Sequence, residues 1–531
     1  MPENFTRLLR QDFADLDTAV SSWKKLAEAL GKTRTGSGKR VTGPLHRAGW
    51  AGLSAKHGFE AIEATETKLG TAQLDAQLIT TVLDTLNNKM QAAQRKLRNA
   101  VADAEQAGHP VRSDGWVEPK PAADPAHHND GDYEALQRQA NAGLAGFRSR
   151  IEEALTEATT ASYEAAELLH EIDPFDLDKR YGGASATEDA ARVAEFAGID
   201  AKDIPDGKDP MQTAKWWAAL DEEKQHFYLA AFPDRLGALD GLPAISRDQA
   251  NRAVLDMRLN DYALREGDLG YHDRYHYRSL SALKDRLDTS DGGPAHKKLY
   301  LLGFSTEKDG RAIVAVGNPD TARHTAVQVP GTANELENFD GQIDRVEKLQ
   351  RSAGDRTMEN GTDVSAIAWL GYNAPEINAS VTSKDRATDG AEALRGFTHG
   401  LRAAHEGERT HLTVLAHSYG STTAGAADAG GKGLDADAMV VLGSPGLAVE
   451  RADQLHVSPE HLWVGAAPDD LVSNLASDLT LGADPKEPGF GAQRMYVDTK
   501  KHSGYWDDNS KSLENQGRII AGKEPKDEGA G

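Results

Sequence analysis

The chain has no cysteine, which excludes disulfides, thiolate metal centres and a cysteine nucleophile. It has no apolar run near the roughly 20 residues that span a bilayer, so no transmembrane segment is expected. Basic residues are in deficit. Sixty Lys and Arg stand against 83 Asp and Glu, and the net charge of -23 repels a phosphate backbone, so nucleic acid is not an expected partner. The opening "MPENFTRLLRQDF" carries charge within its first positions and lacks the apolar core of a Sec signal. The expected location is therefore the cytoplasm, or the exterior by a non-Sec, type VII-like route. At 531 residues the chain exceeds one ordinary core, and about 150 residues per domain predicts two to four units.

What is present first is helical. Leu9, Phe13, Leu16, Val20, Trp23, Ala27 and Leu30 recur at alternating steps of four and three, the seam of a packed helix. Leu69, Ala72, Ala76, Ile79, Leu83, Leu86, Met90, Ala93, Leu97, Ala100 and Ala104 repeat that seam over a longer helix. A third stretch carries Tyr133, Leu136, Ala140, Leu144, Phe147, Ile151 and Leu155. Together they predict an antiparallel bundle over residues 1–172. The Pro-, Asp- and His-rich segment "HPVRSDGWVEPKPAADPAHHNDGD" is expected to be a loop, with His127 and His128 solvated. "TGSGKR" at Thr35 lacks phosphate-loop spacing and reads as a flexible basic loop.

Gly49, Trp50 and Gly52 in "LHRAGWAGLSA" stand between the first two helices. Over residues 1–105 this resembles the Trp-x-Gly hairpin family tied to type VII secretion. The resemblance implies docking to a helical partner, homodimerisation or export through the bundle. That family's Tyr-then-acid signal fits Tyr163 with Glu167 and Tyr262 with Glu266. With 13 tyrosines and 83 acids in the chain, such pairs arise by chance and decide nothing.

Residues 173–291 read as shorter helices forming a cap or connection, with Trp216, Trp217, Leu220, Phe227 and Leu229 as core. His272 and His276 lie one helical turn apart, without a metalloprotease pattern, and are expected on a surface face. From residue 292 to 522 strands alternate with helices: "KKLYLLGF", "RAIVAVG", "TAVQVPG", a helix from Glu335 to Leu349, "VSAIAWLGY", a helix from Thr388 to His405, "HLTVLAHS", "AMVVLGSPG", "HLWVGAAPDD" and "RMYVD". This grammar predicts an α/β fold with a mostly parallel sheet covered on both faces, its reactive residues at the carboxyl ends of strands. Residues 523–531 form an acidic tail expected to be disordered.

Ser418 stands at such a strand end in "AHSYG", a Gly-x-Ser-x-Gly nucleophile elbow with Ala416 at the first glycine. A hydroxyl needs a base, and the base needs an acid to fix its tautomer, in chain order Ser, acid, His. Asp469 and Asp470 follow the strand "HLWVGAA", with Asp470 favoured as the acid and Asp469 kept as the alternative. After them the chain holds one histidine, His502. The oxyanion donors expected are the amides of Tyr419 and of Thr332 in "VPGT". The reading is a serine esterase or lipase-like hydrolase acting on a small-molecule or lipid ester by an acyl-enzyme route, requiring no metal or organic cofactor. The alternative is an idle hydrolase fold serving as a secretion-linked interaction protein.

From about Pro210 to Gly522, "WWAALDEEKQHFYLAAFPDRLGALDGLPAISRDQANRAVL", "VPGT", "AHSYGST", "VVLGSPG" and "HSGYW" resemble an actinobacterial α/β-hydrolase family of unknown function. The resemblance implies the hydrolase fold and a triad of Ser418, Asp470 and His502. It brings no substrate.

Overall fold

The computed structural model describes residues 2–37, 41, 53–120, 133–172, 184–357, 359, 361–470, 472 and 480–526. Gly49, Trp50, Gly52, His127 and His128 lie outside the described residues. The chain divides into two compact units, one of residues 1–35 and 61–201 and the other of residues 36–60 and 202–531.

The first unit is helical: α1 (Pro2–Arg10), α2 (Ala14–Ser37), α3 (Leu53–Gln106), α4 (Tyr133–Ala140), α5 (Leu144–Glu171) and α6 (Ala184–Ala197). Along the 54-residue α3 the expected seam is buried at Ala76, Ile79, Ala93, Leu97, Ala100 and Ala104. Two corrections apply to its neighbours. The first seam is not one helix, because the Asp12 carboxylate accepts from the Ala14 amide at 3.1 Å and starts α2 afresh. The Gln94 amide group then donates to the carbonyls of Leu8 and Gln11 at 2.9 and 2.8 Å, closing the end of α1. The third stretch also breaks, at residues 141–143. Its buried stripe lies further along, on Ile151, Ala154, Ala158, Ala161, Ala165 and Leu168, while Leu136 is exposed. Thr35 to Ser37 belong to α2 and are not loop; Gly38 to Arg40 lie outside the described residues.

The second unit continues with α7 (Pro210–Ala219), α8 (Glu222–Ala231), α9 (Pro233–Gly237), α10 (Ala244–Leu264) and α11 (Tyr271–Asp291). The sheet follows: β1 (Leu299–Ser305), β2 (Arg311–Val316), β3 (His324–Val329), α12 (Asp340–Gly354), β4 (Val364–Leu370), α13 (Asp385–Ala404), β5 (His411–His417), α14 (Tyr419–Ala429), β6 (Ala438–Leu442), β7 (Leu462–Gly465), β8 (Gln493–Arg494) and α15 (Lys511–Ile520). Eight strands lie in the order β1-β2-β4-β3-β5-β6-β7-β8. β1, β2 and β4 pair antiparallel, and every other ladder is parallel. All seven residues of β4 are buried, as a central strand covered by helices on both faces requires.

The middle helices are part of this unit. α10 lies along β1, where Asn251 Nδ2 donates to the Leu301 carbonyl at 3.0 Å and Asp248 accepts from the Leu301 amide at 2.7 Å. Of the surface pair on α11, His272 is exposed but His276 is buried, and burial lowers its pKa. No third metal ligand joins them among the described residues. The strand expected at "RMYVD" shrinks to Gln493 and Arg494, because only these pair with β7 before the chain turns away after the Met495 amide meets the Val464 carbonyl. No described helix is long and apolar enough to cross a membrane.

Candidate active site

β5 is an apolar, β-branched strand held between β3 and β6, and it delivers Ser418 at its carboxyl end. Ser418 takes φ 55° and ψ -134°, a conformation L-residues avoid, and its amide is tied to the Leu442 carbonyl at 3.0 Å. The turn works because α14 starts at once: the Ser421 amide and hydroxyl both donate to the Ser418 carbonyl, at 3.0 and 2.6 Å. Ala416 needs no glycine in its place. It sits inside the ladders opposite Val329 and Val441, where a methyl is an ordinary strand side chain.

The loop after β3 closes on this turn. A β-carbon at Gly331 would stand 2.7 Å from Ser418 Cβ and 3.0 Å from the Tyr419 nitrogen, so only glycine leaves that space open. Neither the Tyr419 amide nor the Thr332 amide donates a hydrogen bond among the described residues. Asn334 Nδ2 braces the loop by donating to the carbonyls of Gly331 and Thr332, at 2.8 and 3.1 Å.

The two aspartates after β7 part company at a tight turn. Asp469 is exposed on it, whereas Asp470 is fully buried and faces His502. His502 Nδ1 lies 2.8 and 2.9 Å from the two Asp470 oxygens. Tyr505 Oη donates to Asp470 Oδ2 at 2.7 Å, and the Val472 amide donates to Oδ1 at 3.0 Å. Three donors thus converge on one buried carboxylate and offset the cost of burying it. With Nδ1–H directed at Asp470, the His502 Nε2 is the lone-pair nitrogen. Ser418 Oγ and His502 are not hydrogen-bonded in this conformation, and such contacts commonly tighten only around substrate.

Five residues without a role in the sequence reading complete the site. A β-carbon at Gly443, whose φ is 54°, would lie 2.5 Å from Asp470 Oδ2 and 3.0 Å from His502 Nδ1, so this glycine makes room for the pair. Tyr505 links Asp470 to the backbone, since its hydroxyl also accepts from the Ala467 amide at 3.0 Å; burial and the carboxylate hold that phenol protonated. His417 Nε2 donates to the His502 carbonyl at 2.7 Å, and the two rings lie 4.5 Å apart. Trp506 closes over His417 edge-on at 5.0 Å, with the Arg345 guanidinium 4.4 Å beyond its ring. Burial, with the neighbouring His502 and Arg345, pushes His417 down to about 3.

That shift has a sign. Between pH 6.5 and about 3 the unfolded chain protonates this imidazole and the folded chain does not. Its contribution to stability is complete above 6.5 and falls on acidification by roughly 1.4 kcal/mol per pH unit. His417→Gln, which keeps a donor for the His502 carbonyl, is expected to flatten the wild-type loss of stability between pH 6 and 4 by about one such slope. Denaturant melts of both proteins across that range check it; parallel curves would show that His417 is not held neutral.

A family model described as alpha/beta hydrolase matches residues 306–480. Uncharacterized proteins of Mycobacterium tuberculosis, from strains CDC 1551 and H37Rv, are each 31% identical over 373 residues, covering 60% of this chain and 56% of theirs. The chain thus spans about half the length of these relatives. An uncharacterized protein of Mycobacterium bovis is 31% identical over 221 residues, covering 40% of this chain and 80% of its own length. No solved structure matches.

Proposed function

Because the chain belongs to the alpha/beta hydrolase family, we propose that its sheet unit is a serine hydrolase that cleaves a carboxylic ester through an acyl-enzyme. The observation that carries the reading is the buried Asp470 bonded at 2.8 Å to the half-buried His502, tied through His417 to the strained strand end that presents Ser418. Ser418 Oγ attacks the ester carbonyl while His502 Nε2 takes its proton. The oxyanion that forms is met by the amides of Tyr419 and Thr332, which have no other acceptor among the described residues. Collapse expels the alcohol with the proton from His502. Water then attacks the acyl group and gives a proton to His502, which returns it to Ser418 Oγ as the carboxylic acid is released.

A fluorophosphonate probe is expected to label the wild type at Ser418, and Ser418→Ala to remove the label. A folded wild type that stays unlabelled would favour an idle fold serving protein interactions. Gly331→Ala tests the oxyanion pocket separately. Its methyl would fill the space beside the Tyr419 amide, and hydrolysis of p-nitrophenyl acetate should drop by on the order of 10²–10³-fold, chiefly in kcat. A rate within a few-fold of wild type would place the oxyanion elsewhere.

A further inference from the structure

The sheet unit holds a cavity of about 330 Å³, bounded by the carboxyl ends of β1 and β4 and by α9, α10 and α13. That is the lower end of small-molecule sites. Phe304, Trp369 and Phe397 form apolar wall, Asp240 and Arg247 form one polar end, and Ser305 and Arg311, the latter paired with Glu307 at 3.2 Å, also line it. Arg247 is 5% exposed, and its Nη1 donates to Asp240 at 2.8 Å. Neither Nε nor Nη2 has an acceptor among the described residues. A buried guanidinium with idle N–H groups is a recognition group awaiting an oxygen. Gly303 keeps its approach clear, for a β-carbon there would lie 3.9 Å from Nη2.

The ladders and the strand order set the edge of the sheet on which this cavity stands. Gln328 pairs with Ala368 on one side and Leu415 on the other. Three residues beyond these stand Gly331, Gly371 and Ser418. Gly371, part of the cavity wall, follows β4 as Gly331 follows β3 and Ser418 follows β5, so the cavity and Ser418 share the carboxyl edge of the sheet, and β4 and β5 stand two strand spacings apart, about 10 Å at ~4.8 Å per strand. We propose that the cavity receives the far end of the substrate's acyl chain and that this end carries an uncharged carbonyl oxygen bound by Arg247. The inference rests on the ester-hydrolase reading. The charge of Arg247 is already met by Asp240, so a carboxylate would bring an unmatched negative charge beside that aspartate, whereas a carbonyl takes the idle N–H without one. A reach of about 10 Å corresponds to on the order of eight bonds.

The test compares the p-nitrophenyl ester of the azelaic acid half-amide with p-nitrophenyl nonanoate, and uses p-nitrophenyl acetate as a short reference. Wild type is expected to favour the half-amide over the nonanoate by about tenfold or more in kcat/KM, mainly through KM. Arg247→Lys keeps a cation opposite Asp240 but gives up the planar fork, and Gly303→Ala places a methyl before Nη2 without a clash. Each should bring the ratio of the two long esters to about one. Acetate hydrolysis with equal rates on the long esters overturns the inference and leaves the hydrolase reading standing. Failure to hydrolyse any of the three overturns the hydrolase reading. Calorimetric titration of Ser418→Ala with the two long esters reads the cavity without turnover: the half-amide should bind about tenfold tighter, and equal or absent binding overturns the inference.

Discussion

Ser418→Gly is expected to abolish hydrolysis and at the same time to stabilise the fold. Removing the nucleophile of a triad commonly costs about 10⁴-fold or more in kcat. The stabilisation comes from the backbone. At φ 55° and ψ -134° a serine holds a conformation that costs of order 1–3 kcal/mol, and glycine relieves it at a smaller entropic cost. The hydrogen bonds that define the turn run from the Ser418 amide and to its carbonyl, so both survive the substitution. A net gain of about 1 kcal/mol should appear as a higher melting temperature, with Ser418→Ala showing none of it because alanine keeps the β-carbon. A glycine variant less stable than wild type would mean that the turn is unstrained, and retained hydrolysis would remove Ser418 from the mechanism.

The second large effect separates two adjacent aspartates. Asp470→Asn should lower kcat by about 10⁴-fold while leaving the fold intact. The carboxamide oxygen can still accept from Tyr505 or the Val472 amide, but its nitrogen cannot accept from His502 Nδ1. The imidazole is then driven to the tautomer with its proton on Nε2, which cannot deprotonate a serine. Asp469→Asn, exposed on the turn, should leave kcat within about twofold. Steady-state rates on p-nitrophenyl acetate decide between them. A large loss at Asp469 with little at Asp470 would reverse the assignment of the acid.

The sheet was legible because apolar strands and amphipathic helices alternate in plain sequence, and Ser418 because its motif is local. The pairing of His502 with an aspartate followed from chain order, and the place of Asp470 two residues before Val472 favoured it over Asp469. What the string "PDDLV" does not carry is the tight turn that sends one carboxylate into the core and its neighbour into water. His417 stood inside the motif without a role because its partner is 85 residues away. Tyr505 was likewise hidden, three residues past His502 on a short turn whose direction only the tertiary fold supplies. The breaks in the helical unit were nearer to hand. Asp12 before Ala14 is a helix-starting residue, and the unbroken heptad spacing masked it.

β8 holds only two paired residues, so the sheet scarcely grips the stretch that carries the imidazole. That stretch is secured by side-chain contacts to His417, Asp470 and the residues around Tyr505. Such an anchorage can let go while the central ladders remain intact. Heat would then free that stretch in an early, reversible step, and the cooperative melting of the parallel strands would follow as a separate event.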